Sequence, residues 1–148
     1  MRRLLLALLL CFSPPAPADA PRIAIIIDDL GYHLANGKRA LQLPGTVSFS
    51  FLPGGPSTRL LAEQAHELGR DILLHLPLQA HQDESRAEPS EIHIDMSRVR
   101  VGVVFEEALQ AVPHVIGVNG HRGSLLTRHP GHMQWLMETL AERESPIF

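Results

Sequence analysis

Asp28 and Asp29 are adjacent carboxylates at the point where an apolar, mostly β-branched run, Ile23-Ala24-Ile25-Ile26-Ile27, gives way to Leu30-Gly31-Tyr32. The run predicts a strand buried on both faces. An ionised carboxylate is costly to bury unless it is paired or bound to a metal. Two of them closing a core strand therefore mark a site more readily than a helix cap or a solvated turn, which would account for a lone Asp. Two later stretches supply matching groups: His75 within Leu73-Leu74-His75-Leu76-Pro77, and His121 just past Val115-Ile116-Gly117-Val118. One carboxylate with two imidazoles is a common ligand set for a catalytic divalent metal that keeps a position open for water. Such an ion acidifies water and polarises a carbonyl oxygen, and the spare carboxylate is then placed to act as general base.

These groups converge only if their strands run parallel, because chemistry in open α/β sheets and (β/α) barrels gathers at the C-terminal strand ends. The pattern along the chain predicts that arrangement. After the first strand, Tyr32 to Leu43 reads as a helix closed by Pro44-Gly45, with Asn36-Gly37 weakening its first half. Thr46 to Leu52 alternates with period two and reads as a second strand. Ser57 can cap a helix with Leu60, Leu61, Ala65 and Leu68 on one face, stopped by Gly69. Ile72-Leu73-Leu74 forms the third strand, ending at His75, and Gln79 to Glu91 reads as a long polar loop. Ser97 can cap a helix to about Ala111 that buries Val101, Val104, Phe105, Ala108 and Leu109. Val115–Val118 is the fourth strand, with Asn119 to Ser124 in the loop after it. A last helix, Pro130 to Arg143, carries Met133, Leu136, Met137 and Leu140. The β-α-β-α-β-α-β-α order argues for a parallel sheet with helical crossovers. A fifth strand is expected where the chain reaches Ile147-Phe148, so the sequence reads as the N-terminal part of a larger sheet, truncated at its C-terminus.

Composition sets the class. The chain has 148 residues, 45% hydrophobic and 20% charged, with a formal charge of -3. That excludes a disordered or multi-span membrane protein, and the absence of a large basic patch argues against nucleic acid as a partner. Residues 1–20 have the form of an export signal: Arg2 and Arg3, the apolar stretch Leu4 to Phe12, and Ala18-Asp19-Ala20 as a cleavage site. The apolar stretch is too short for a stable membrane span. Residues 21–148 would form the mature domain, periplasmic or secreted. Cleavage after Ala20 would also remove the single cysteine, Cys11, which suits an oxidising compartment.

Ile-Ala-Ile-Ile-Ile-Asp-Asp-Leu-Gly-Tyr at 23–32, Phe51-Leu52-Pro53, Leu73-Leu74-His75-Leu76-Pro77 and Gly117-Val118-Asn119-Gly120-His121-Arg122-Gly123-Ser124 occur in one order, followed by Thr127 and Met133. In that order the chain resembles the divergent polysaccharide deacetylases, relatives of the NodB-type carbohydrate esterases. The resemblance implies a deformed, parallel-strand (β/α) barrel of the α/β class. It also implies a metal-dependent hydrolase that removes acetyl groups from an envelope or extracellular polysaccharide. Carried over position by position, it casts Asp28 as base and Asp29, His75 and His121 as ligands of a divalent metal, zinc being the expected ion. Asn119 and Ser124 could hold substrate or orient His121, or only satisfy backbone groups in a Gly-rich turn, and Arg122 could grip an acidic glycan. Two departures stand out. NodB-type enzymes take both histidines from one His-x-x-x-His motif, whereas here they come from separate strands. The family's Asn-Asn-His-Met-Gly-Ser reads Asn119-Gly120-His121-Arg122-Gly123-Ser124, and a guanidinium beside His121 repels a divalent ion unless it points away or pairs with an acid.

Two other classes compete. One is a non-catalytic glycan-binding or envelope-structural protein that keeps the fold without the chemistry. The other is phosphoryl transfer by an Asp closing a first strand, but Asp28-Asp29-Leu30-Gly31-Tyr32 lacks the Asp-x-Asp-x-Thr spacing of the haloacid dehalogenase type. His33, His66, His81, His93, His114 and His129 read as loop or polar-face residues, and His129 with His132 as a solvated helix start. Trp135 lies off the apolar stripe, where it could stack on a sugar.

Overall fold

The computed structural model describes residues 22–81 and 88–143, so the expected export signal lies outside the described residues. The elements are β1 (Ile26–Leu30), α1 (Leu34–Leu41), β2 (Ser48–Phe51), α2 (Thr58–Glu67), β3 (Ile72–Leu78), α3 (Arg98–Ala111), β4 (Gly117–Arg122), a short 3-10 turn (Leu126–Arg128) and α4 (Pro130–Ala141). All strand pairings are parallel and the sheet order is β1-β2-β3-β4. The expected α/β alternation is present throughout. Each strand hands over to its helix across one face of the sheet, and that face carries the core.

Phe49, Phe51, Leu74, Leu76 and Ile72 are fully buried, against Leu61, Val101, Val104 and Phe105 from the helices. A fully buried Leu or Phe is worth about 1.5–3 kcal/mol relative to exposure, so this layer carries the fold. Ser97 caps α3 as expected, its Oγ accepting from the Arg100 amide at 3.3 Å. Ser57 heads α2 without a side-chain cap; its amide donates instead to the Gly31 carbonyl at 2.9 Å, tying α2 to the turn after β1. Asn36-Gly37 does not break α1, because Gly37 is where α1 meets α2. A Cβ there would lie 2.4 Å from a methyl of Leu61.

Several expectations are corrected. The first strand is not buried on both faces: among the described residues it is an edge strand, with Ile26 exposed, as are Ile23 and Ile25 just before it, and only Leu30 fully covered. Leu60 and Leu68 face solvent, and α2 buries Leu61, Ala62 and Ala65 instead. Leu60 and Leu61 differ by one helical step of about 100°, so only one of them can face the sheet. Met137 is likewise exposed on α4. β3 runs on to Leu78 and β4 to Arg122, paired residue for residue from Leu73↔Gly117 to Leu78↔Arg122. Asn119, His121 and Arg122 therefore lie on β4, not in the loop after it, and His75 lies within β3, not at its end.

Candidate metal centre

In a strand, alternate residues share a face. Ser50 on β2, Leu73, His75 and Pro77 on β3, and Gly117, Asn119 and His121 on β4 all point away from the helices, by the registers Ser50↔Leu73, His75↔Asn119 and Pro77↔His121. This polar face is curled. Flat strands about 4.8 Å apart would hold β1 and β4 about 14 Å from each other, yet Asn119 Nδ2 donates to Asp28 Oδ1 at 2.8 Å. The curl closes the four strand faces around one small volume.

β1 delivers both of its acids there by breaking its own regularity. Successive residues on a strand point to opposite sides, so an unbroken β1 would send Asp28 and Asp29 apart. The register slips between Ile27 and Leu30, and Asp29 takes a left-handed backbone, φ 63°. Bulges of this kind re-aim side chains near sites, and Asp is among the few non-glycine residues that adopt this conformation. Gly31 completes the turn at φ 126°, packed so closely on Thr58 that a Cβ would lie 2.1 Å from its hydroxyl.

The re-aimed Asp29 meets both histidines. Its Oδ1 lies 3.2 Å from His75 Nε2 and 3.1 Å from His121 Nδ1, and the two ring nitrogens are 3.2 Å apart. Three ligands at ordinary zinc–nitrogen and zinc–oxygen distances in tetrahedral array are separated by roughly 3.3 Å, so the triangle fits a divalent ion on one open face. Among the described residues this trio is the group of acidic and imidazole side chains that converges in this way. Asp28 stands beside it without joining it. The residues fit the role.

The comparisons with known proteins agree with that geometry. The family model described as divergent polysaccharide deacetylase matches residues 25–148. The chain belongs to the divergent polysaccharide deacetylases. Relatives include YibQ of Escherichia coli K12, 33% identical over 94% of this chain and 43% of its own length. A Haemophilus influenzae protein is 35% identical over 82% of this chain and 43% of its own; both relatives are described as uncharacterized. The chain thus spans less than half the length of these relatives. The crystal structure of the Agrobacterium tumefaciens protein ATU2773, also described as uncharacterized, has the same fold. Its TM-score is 0.75 at 20% identity, over 84% of this chain and 52% of that one.

The three residues expected at the deacetylase substrate face sit differently from one another. Asn119 turns inward: its Oδ1 faces His75 Nδ1 at 3.0 Å and accepts from the Ser50 hydroxyl. Ser50, fully buried, was missed by the sequence reading; its only signal is a polar residue inside an alternating strand. Arg122, also left-handed at φ 60°, directs its guanidinium to Glu91 at 3.6 Å and Glu88 at 4.0 Å. That is the acid-paired arrangement in which it does not oppose an ion at His121. Glu88 in turn accepts from the Tyr32 hydroxyl at 2.7 Å. Ser124 Oγ accepts from the His81 amide at 3.0 Å, at the start of the long loop, of which residues 82–87 lie outside the described residues.

Of the other histidines, His132 corrects its expectation. It is buried, not solvated, with Nε2 3.1 Å from the Met96 carbonyl and Nδ1 2.9 Å from His129 Nδ1. A carbonyl can only accept, so Nε2 carries the proton, and Nδ1 is left to accept from His129. The Trp135 ring packs against that of His132, centroids 4.7 Å apart, and against the core. His114 instead pairs with Glu63 at 2.8 Å and stacks on His66.

Proposed function

We propose that this chain carries the metal centre of a divalent-metal-dependent deacetylase acting on an envelope or extracellular polysaccharide, with zinc as the ion. The observation that supports it is the triangle of Asp29 Oδ1, His75 Nε2 and His121 Nδ1 at 3.1–3.2 Å, in a family whose description is polysaccharide deacetylase. An ion held there supplies Lewis acidity to water and to an acetyl carbonyl.

The chain's own residues supply the rest. Asp29, His75 and His121 present three lone pairs to one point and leave the solvent side open. Asp28, held by Asn119 through one oxygen, keeps its second oxygen to take a proton from an attacking water and return it to the departing sugar nitrogen or oxygen. Tyr32, exposed at the rim just after the acids, offers an aromatic surface to a sugar ring. Export through residues 1–20 and a periplasmic or secreted location belong to the same reading, since the substrate class lies outside the cytoplasm. No helix among the described residues is long and apolar enough to cross a membrane.

Acetate release from acetylated glycan oligomers, with and without added zinc, tests the reading. The expected result is zinc-dependent release, abolished by a chelator and by Asp28→Asn. Glycan binding at saturating zinc with no acetate released would replace it with the non-catalytic glycan-binding reading.

A further inference from the structure

Behind the metal ligands lies a second layer whose hydrogen-bond directions can be deduced from chemistry alone. Asn119 touches three partners: Asp28 Oδ1 at 2.8 Å, His75 Nδ1 at 3.0 Å, and the Ser50 hydroxyl. An ionised carboxylate can only accept, so the Asn119 amide must turn its NH2 toward Asp28. Its carbonyl oxygen then faces Ser50 and His75. An oxygen facing a ring nitrogen needs a proton between them, so His75 carries its proton on Nδ1. The other ring nitrogen, Nε2, faces Asp29 and His121, so its lone pair is the one that would be offered to an ion held there.

From this we infer that Asn119, backed by Ser50, is a positioning residue that fixes the tautomer of His75 and ties Asp28 to the same bracket. The inference deepens the metal-site reading and rests on it for its function, but not for its geometry. Ser50 is fully buried on β2, and among the described residues its hydroxyl bonds to Asn119 alone. Its hydroxyl gives the Asn119 oxygen a second donor, and reversing the amide would set oxygen against the Asp28 carboxylate. One amide thus reads the charge of Asp28 on one side and sets the proton of His75 on the other. Partners of this kind orient ligands in metal sites, and their loss typically costs about 10–100-fold in affinity.

The tautomer can be read in the metal-free protein. At mildly alkaline pH, long-range proton–nitrogen correlation in an isotope-labelled sample should place the His75 proton on Nδ1. Asn119→Leu, which keeps the shape and removes the acceptor, should shift His75 toward the Nε2–H form. It should also weaken zinc binding about 10–100-fold, measured against a chromophoric chelator. Ser50→Ala should move both readouts in the same direction by less. A wild-type His75 with no proton on Nδ1, or an Asn119→Leu protein that keeps the Nδ1–H form, overturns the proposal. If Asn119→Leu does not fold, the wild-type tautomer and the Ser50→Ala shift decide it. If the wild type shows the Nδ1–H form yet takes up no zinc, the metal reading fails while the positioning role stands.

Discussion

His75 stands on a strand whose every residue but Leu73 is buried, whereas Asp28 and Asp29 stand on an edge strand where only Leu30 is. On the histidine side, orientation is set by packing. Leu74 and Leu76 lock β3 into the core, and Asn119 and Ser50 brace the ring from behind. On the carboxylate side, orientation is set by the backbone: a register slip and a left-handed Asp29, with 65% of its side chain exposed. The two sides meet through polar contacts of the acids with Asn119, His75 and His121. Segments with few buried apolar contacts open at low free-energy cost. The carboxylate side is therefore the part that an ion would order, and the histidine side the part that waits for it preformed.

Substitutions at the two ligands should separate these contributions most strongly. His75→Ala and Asp29→Gly should each abolish tight zinc binding, but they should move the metal-free stability in opposite directions. Removing the His75 ring opens a buried cavity and takes one of its two donors from the Asn119 oxygen, at a cost of about 2–4 kcal/mol. Glycine at position 29 accepts φ 63° without strain, so stability should hold or rise by up to about 1 kcal/mol. Urea denaturation of the metal-free proteins measures both. Equal losses would show that β1 is as firmly built as β3, and the comparison would collapse.

The same contrast explains what could be read from the sequence. Parallel order, helix positions and the Asp-Asp, His75 and His121 constellation were legible, because each rests on local composition and on a topology that alternation dictates. The burial of β1 was not. Ile23 to Ile27 has the composition of a central strand, and only pairing shows that β1 has a neighbour on one side. Strand ends were misread for a related reason. Asn119 and His121 look like loop residues by polarity, and His75 like the end of its strand, but the curled face of the sheet is polar, so the strands continue through them. The roles of Ser50 and the buried His132 could not be read locally, since each is satisfied by a partner distant in sequence: Asn119 for one, Met96 for the other.

Arg122 offers a finer test, because it adjoins His121, a proposed ligand, yet belongs to a different network. Its guanidinium pairs with Glu91, which is almost fully buried, and with Glu88. Arg122→Met should leave Glu91 short of a positive partner and cost about 1–2 kcal/mol, less than a wholly buried pair because the Arg side chain is partly solvated. Zinc affinity should not fall. A marked gain in affinity would mean that the guanidinium opposes the ion after all, and the separation between bracing and ligation on β4 would be lost.

The smallest effect is expected at the outer edge of β1. Ile25 is 52% exposed, and its carbonyl accepts from Ser48 on the one side where β1 has a neighbour. Ile27, in contrast, packs against the core. Ile25→Lys should change stability by no more than about 0.5 kcal/mol, as surface substitutions usually do, while Ile27→Lys should cost several times that. A charge at an open strand edge also discourages edge-to-edge pairing between molecules, so light scattering of concentrated Ile25→Lys protein should show less association than the parent. If Ile25→Lys proved as costly as Ile27→Lys, β1 would be covered on its outer side in solution. The carboxylates would then stand on a strand held from both edges, as His75 is.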